Sequence, residues 1–126
     1  MNAEDTIIAP PALLRAIKID PDARSVGPID VDPEAMAAVL ASQLTDTIDF
    51  EAGHCLVIGD GDTARDHATR FRFVNGPLDR PFFGPVLILG LASGNPAPAT
   101  MNLQRLRARI IWETWDKRHR CYAEPV

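Results

Sequence analysis

The run from Pro81 to Leu91, PFFGPVLILGL, is the longest apolar stretch in the chain. An unbroken run of this kind predicts a strand covered on both faces, hence one that is central in a small sheet. A buried helix is the alternative, but Gly84-Pro85 and Gly90 punctuate a short segment and favour the strand. The run is also far shorter than the ~20 apolar residues of a membrane-spanning helix.

A chain of 126 residues is long enough to bury a real core without metals or disulfides. Its net charge of −4 is too small to mark a nucleic-acid binder by the total alone. The distribution says more. Residues 1–100 hold 7 Lys and Arg against 14 Asp and Glu, whereas residues 101–126 hold 6 against 3. An acidic body therefore carries a basic C-terminal element. Cys55 and Cys121 lie far apart in sequence, and Cys55 falls inside an apolar strand pattern, which favours a packed free thiol over a disulfide. The start of the chain is acidic where a secretory leader needs positive charge, so a cytoplasmic setting without membrane attachment is expected.

Residues 1–11 end in Pro10-Pro11 without periodicity and read as a flexible lead, followed by one domain over 12–120 and a short tail over 121–126. Leu13 to Ile19 and Val26 to Val31 are predicted strands joined by the Asp20-Pro21-Asp22-Ala23 turn, the second at a sheet edge because of Gly27-Pro28. Asp32-Pro33 is a helix-start signal, and Met36, Val39, Leu40 and Leu44 recur at helical spacing, predicting a helix over 33–44. Thr47 to Phe50, His54 to Ile58 and Phe71 to Val74 are further predicted strands. Gly94 to Pro98 reads as an irregular surface loop. Leu103, Leu106, Ile110 and Ile111 are expected to pack inward, predicting a last helix over 101–118 capped by Thr100 or Asn102. The expected fold is α+β: a mainly antiparallel sheet of about five strands, 81–91 central, with two helices packed on it.

The order of these pieces resembles a domain family of unknown function found in small proteins of phages, plasmids and other mobile elements. The likeness rests on Leu14 to Val26, similar to that family's opening strand and D-P-x-x-R-x-V turn, and on His54 to Gly61, similar to a strand and turn in its middle. It continues with Phe71-Arg72-Phe73 and the closing strand Phe82 to Gly90, with its G-x-x-L-x-x-G spacing. The resemblance spans 13–91 and implies an α+β domain and a mobile-element setting. It implies no functional residues, and the Trp-rich basic end of this chain departs from the pattern.

Two groups of residues carry chemistry. Asp60, Asp62, Asp66 and His67 are the weak candidate metal ligands, since carboxylates gathered in a loop hold hard cations and a histidine beside them can act as a base. Their spacing fits no known ligand loop, and Asp60-Gly61 is also what a tight turn requires, so a plain turn is the preferred reading. His54 and Cys55 are neighbours that point to opposite faces of a strand and read as packed structural residues. The second group is Arg105, Arg109, Trp112, Trp115, Lys117, Arg118 and Arg120. On a helix the two tryptophans, three residues apart, share a face, and tryptophan and arginine are enriched at binding hot spots. Two readings stay open for them: a partner-binding surface, or tryptophans that close the end of the core beside a solvated basic terminus.

No nucleophile–base pair or phosphate loop is visible and no cofactor is expected, which favours a non-catalytic role. The expectation is an interaction or regulatory accessory protein of a mobile genetic element, binding a protein partner through the C-terminal helix. The alternatives are a nucleic-acid-associated factor using the same basic patch and a metal-dependent enzyme or small-ligand binder at the 60–67 loop.

Overall fold

A computed structural model describes residues 13–59, 69–74, 78, 80–115 and 121–125, with Trp115 and 121–125 described by their backbone. The first half of the chain forms β1 (Leu14–Asp20), β2 (Ser25–Val31), α1 (Met36–Val39), β3 (Thr45–Asp49) and β4 (His54–Gly59). The second half adds β5 (Thr69–Phe73), β6 (Val86–Ala92), β7 (Asn95–Ala97), α2 (Leu103–Arg107), β8 (Ile110–Trp115) and β9 (Cys121–Pro125). Among the described residues two sheets form, and every strand pair there is antiparallel.

The larger sheet has six strands in the order β2-β1-β6-β4-β3, with β7 also paired to β6. β6 is its central strand. Val86 to Leu89 are at most 1% exposed, as expected of a strand covered on both faces. The strand is shorter than the apolar run: residues 81–85 lie outside it, and Phe82 makes a single bridge to Phe71. β1 and β2 form the expected hairpin, with β2 at one edge and β3 at the other. At the β3 edge, the Asp46 carboxylate accepts the neighbouring Thr47 N–H at 2.9 Å and places charge along an unpaired rim, a common protection of exposed edges.

The smaller sheet has the order β5-β8-β9. Its inner face carries Phe71, Phe73, Ile110 and Trp112, which meet Ile17, Ile19, Leu56, Ile58, Val86 and Ile88 of the larger sheet in one core. Phe71 stacks on Phe82 at 5.3 Å between centroids and meets Trp112 edge-on at 6.1 Å. A second apolar cluster lies on the opposite face of the larger sheet. There Ala16, Cys55, Val57, Leu87 and Leu89 pack with Leu40, and Met36 and Val39 of α1 lie against them.

The fold is thus mainly antiparallel β with two short helices. There are more strands than the expected five, and the helices are minor. Within the expected helix over 33–44, only 36–39 is helical. The Asp32 carboxylate closes a local turn on the Glu34 N–H at 2.9 Å instead of capping a helix, and Ala41 takes a left-handed backbone with φ 52° that ends any continuation. Leu44, expected on the buried face, is 70% exposed. Among the described residues of the expected helix over 101–118, only 103–107 is helical, and the chain then turns into β8, while 116–118 lie outside the described residues. The run Ile110-Ile111-Trp112-Glu113-Thr114-Trp115 is β-branched and aromatic, suited to a pleated, half-buried surface, and pairing on both sides with β5 and β9 fixes it as a strand. Residues 121–125, expected in a tail, form β9. Residues 95–97, expected in a loop, form β7, which turns back on β6 through Ser93 and Gly94, both at positive φ as a two-residue hairpin requires.

Candidate functional site

The C-terminal residues singled out from sequence do not form one helical face. Trp112 sits on β8 and is 5% exposed, packed in the core between the sheets. The surface role expected for Trp112 is therefore corrected: of the two readings left open, Trp112 takes the core one. Trp115 belongs by its backbone to the same strand, so the helix on which the two tryptophans were expected to share a face is not formed there. Lys117, Arg118 and Arg120 lie outside the described residues, as do Asp60, Asp62, Asp66 and His67. Among the described residues no group of three or more His, Cys, Asp or Glu side chains is placed to hold a metal ion.

Arg105 and Arg109 do come together. They line one cleft of about 230 Å³ between α2 and the β3–β4 turn, together with Glu51, Met101, Asn102 and Leu106. The route by which the chain builds this cleft can be followed residue by residue. After β7 the chain crosses the larger sheet over Gly90, where an added Cβ would meet the Pro98 carbonyl oxygen at 2.4 Å. Gly90 stands opposite His54 in the β4–β6 register, so the crossing chain arrives beside the imidazole. His54 is 3% exposed, and its Nε2 accepts the Thr100 N–H at 3.0 Å. That acceptor role leaves the ring proton on Nδ1, which donates to the Ala52 carbonyl at 2.8 Å.

One buried side chain therefore ties together both walls of the cleft: the 51–53 turn and the segment that leads into α2. Ala52, in the first wall, is held at φ 56°, a left-handed conformation uncommon for a residue with a Cβ. In the second wall Asn102 caps α2, its Oδ1 accepting the Arg105 N–H at 3.0 Å, which fixes the first turn and with it the position of Arg105. Leu106 is 3% exposed and anchors α2 on the core, and Arg107 donates to the Val26 carbonyl from Nη2 at 2.6 Å, tying α2 to β2.

The electrostatics of the cleft are basic with one internal acid. Arg109 Nη1 pairs with Glu51 Oε1, and its guanidinium lies 5.7 Å from the Phe50 ring centroid and 5.9 Å from that of Phe73. Its Nη2 is buried without a hydrogen-bond partner among the described residues. Arg105 is exposed. Two guanidinium groups lining one cleft, one on α2 and one just past its end with a buried nitrogen short of an acceptor, beside the apolar side chains of Met101 and Leu106, suit a carboxylate attached to an apolar body. Sequence reasoning identified the two arginines and the Asn102 cap but missed Glu51, whose approach depends on the β3–β4 turn, and the bracing role of His54, which depends on a contact 46 residues away.

A second cleft, about 310 Å³, lies at the end of the larger sheet, where Lys18 and Asp20 of β1 face Leu40, Gly59, Phe83 and Pro85. Lys18 Nζ and Asp20 Oδ2 are 3.9 Å apart there. Cys55, on the covered outer face of the larger sheet, is 3% exposed. Burial pushes its thiol above the ordinary value, the Asp49 carboxylate adds to the shift, and a backbone hydrogen bond from Leu89 partly opposes it. It is a packed, protonated side chain rather than a nucleophile. Among the described residues no helix is long and apolar enough to cross a membrane. Comparison with known proteins finds no matching protein family, curated protein or solved structure, and the likeness to a mobile-element family therefore rests on the motifs of residues 13–91 alone.

Proposed function

We propose that the chain is a non-catalytic interaction or regulatory protein of a mobile genetic element that binds a protein partner through the surface around α2. The mobile-element setting comes from the resemblance of residues 13–91. The observation that carries the interaction reading is the convergence of Arg105 and Arg109 on one braced, outward-opening cleft with an apolar floor. Arginine over apolar side chains is a composition typical of the energetically dominant part of protein interfaces. The acidic body and basic C-terminal part add direction, since an acidic partner surface is drawn to this end of the chain and repelled by the rest.

The test is a tagged pull-down from lysate of the native host, at low and moderate salt, with and without nuclease. A stoichiometric protein that survives nuclease is the expected result. Recovery of nucleic acid alone, released steeply by salt as phosphate contacts are, contradicts the reading and points to a nucleic-acid-associated factor. Recovery of nothing at either salt contradicts it as well.

A further inference from the structure

We infer that the α2 cleft is a carboxylate-binding site for an acidic, partly apolar peptide segment of the partner, and that Glu51 is an internal competitor for that site. The inference rests on the interaction reading above and adds the chemistry of what is bound. Four features converge on it.

Arg105 offers an exposed guanidinium at the mouth, and no carboxylate pairs with it among the described residues. Arg109 lines the same cleft, and its buried Nη2 has no acceptor among those residues, so the guanidinium keeps hydrogen-bonding capacity that Glu51 does not meet. Asn102 spends its Oδ1 on the α2 cap, so its amide nitrogen remains for a ligand. Met101 and Leu106 supply the apolar floor on which an aliphatic neighbour of the acid would lie. Phosphate would also meet two arginines here, but an apolar floor gives a sugar–phosphate chain nothing to stack on, whereas a Glu-Leu segment matches both parts.

Glu51 already supplies Arg109 with one carboxylate, from within the chain. It thereby holds the guanidinium in place over Phe50 and Phe73 and lowers the net positive charge of the cleft. Removing its charge should tighten the binding of an external carboxylate, an effect opposite in sign to that of losing Arg105. His54 is a positioning residue for the same site: it touches no ligand but fixes both walls.

The test is fluorescence anisotropy on the full chain, with a fluorescein-labelled hexapeptide of alternating glutamate and leucine. The glutamine–leucine version and a single-stranded oligothymidylate of equal charge serve as comparisons. The acidic peptide should bind more tightly than either, Arg105→Glu should weaken it by roughly tenfold or more, about 1.4 kcal/mol, and Glu51→Gln should tighten it. Melting curves confirm that both variants fold, as expected for an exposed and a half-buried side chain. Equal binding of the glutamine peptide, tighter binding of the oligonucleotide, or weaker binding by Glu51→Gln overturns the assignment. The two levels of the account fail separately. A lysate partner whose capture is unaffected by Arg105→Glu leaves a protein partner standing but removes this cleft as the place where it binds. Acidic-peptide binding with the expected response of the variants, but without a lysate partner, does the reverse.

Discussion

Trp112 fills the space between the two sheets against Phe71, so its truncation leaves a cavity rather than a bare surface. Trp112→Ala should destabilise the fold by about 3–5 kcal/mol, the range for large aromatic side chains removed from cores, read as a lowered midpoint in urea unfolding. A change under about 1 kcal/mol would place the side chain at the surface instead. Cys55 makes a second residue-scale prediction. Its folded pKa is raised above the ordinary 9.0, so the stability contributed by keeping it protonated is fully present below 9.0 and is lost as pH rises through the raised folded value. Cys55 should resist alkylation near neutral pH in the native protein and react only on unfolding, read at that residue by peptide mapping so that Cys121 is scored apart, whereas labelling of Cys55 at the rate of an exposed thiol would contradict its burial. At this scale the sequence was a fair guide. The apolar neighbours of Cys55 announced a packed thiol, but nothing near Trp112 distinguished core from surface, because that distinction lies in contacts with Phe71, 41 positions earlier.

Among the elements, the strands read from alternation and apolar runs lie within a few residues of those observed, while the two helices shrink to four and five residues. The reason is specific. Leu103, Leu106 and Ile110 do pack inward as a helical face requires, but from Ile110 onward the sequence satisfies strand alternation equally well. The choice is made by β5, whose Phe71 and Phe73 stand opposite Trp112 and Ile110 in register. Far-UV circular dichroism should accordingly show a β-dominated spectrum with a weak 222 nm signal, and a strong helical minimum would contradict the assignment of 110–115 to a strand. Gly90 tests the crossing that forms one wall of the cleft. Gly90→Ala drives a methyl into the Pro98 backbone, so a cost of about 1–3 kcal/mol is expected, together with weaker acidic-peptide binding as the 97–100 segment is displaced. An unchanged melting temperature and unchanged binding would show that the segment does not depend on that approach.

Across the whole molecule, charge is sorted along the chain: the acidic first hundred residues contribute the larger sheet, and the basic remainder places Arg105 and Arg109 against it. That polarity was legible in the sequence, as were the two arginines. The cleft itself was not, because it exists only where three distant pieces meet: the 51–53 turn, the chain passing over Gly90, and α2, with His54 holding the first two together. The central claim is that these pieces present two guanidinium groups to a carboxylate. The most direct measurement is a ¹H–¹⁵N spectrum of the arginine Nε–H groups during titration with the glutamate–leucine hexapeptide. The account predicts saturable shifts of the Arg105 and Arg109 signals, with those of Arg15 and Arg72 unmoved. Shifts spread evenly over all arginines, or none at Arg105 and Arg109, would contradict it.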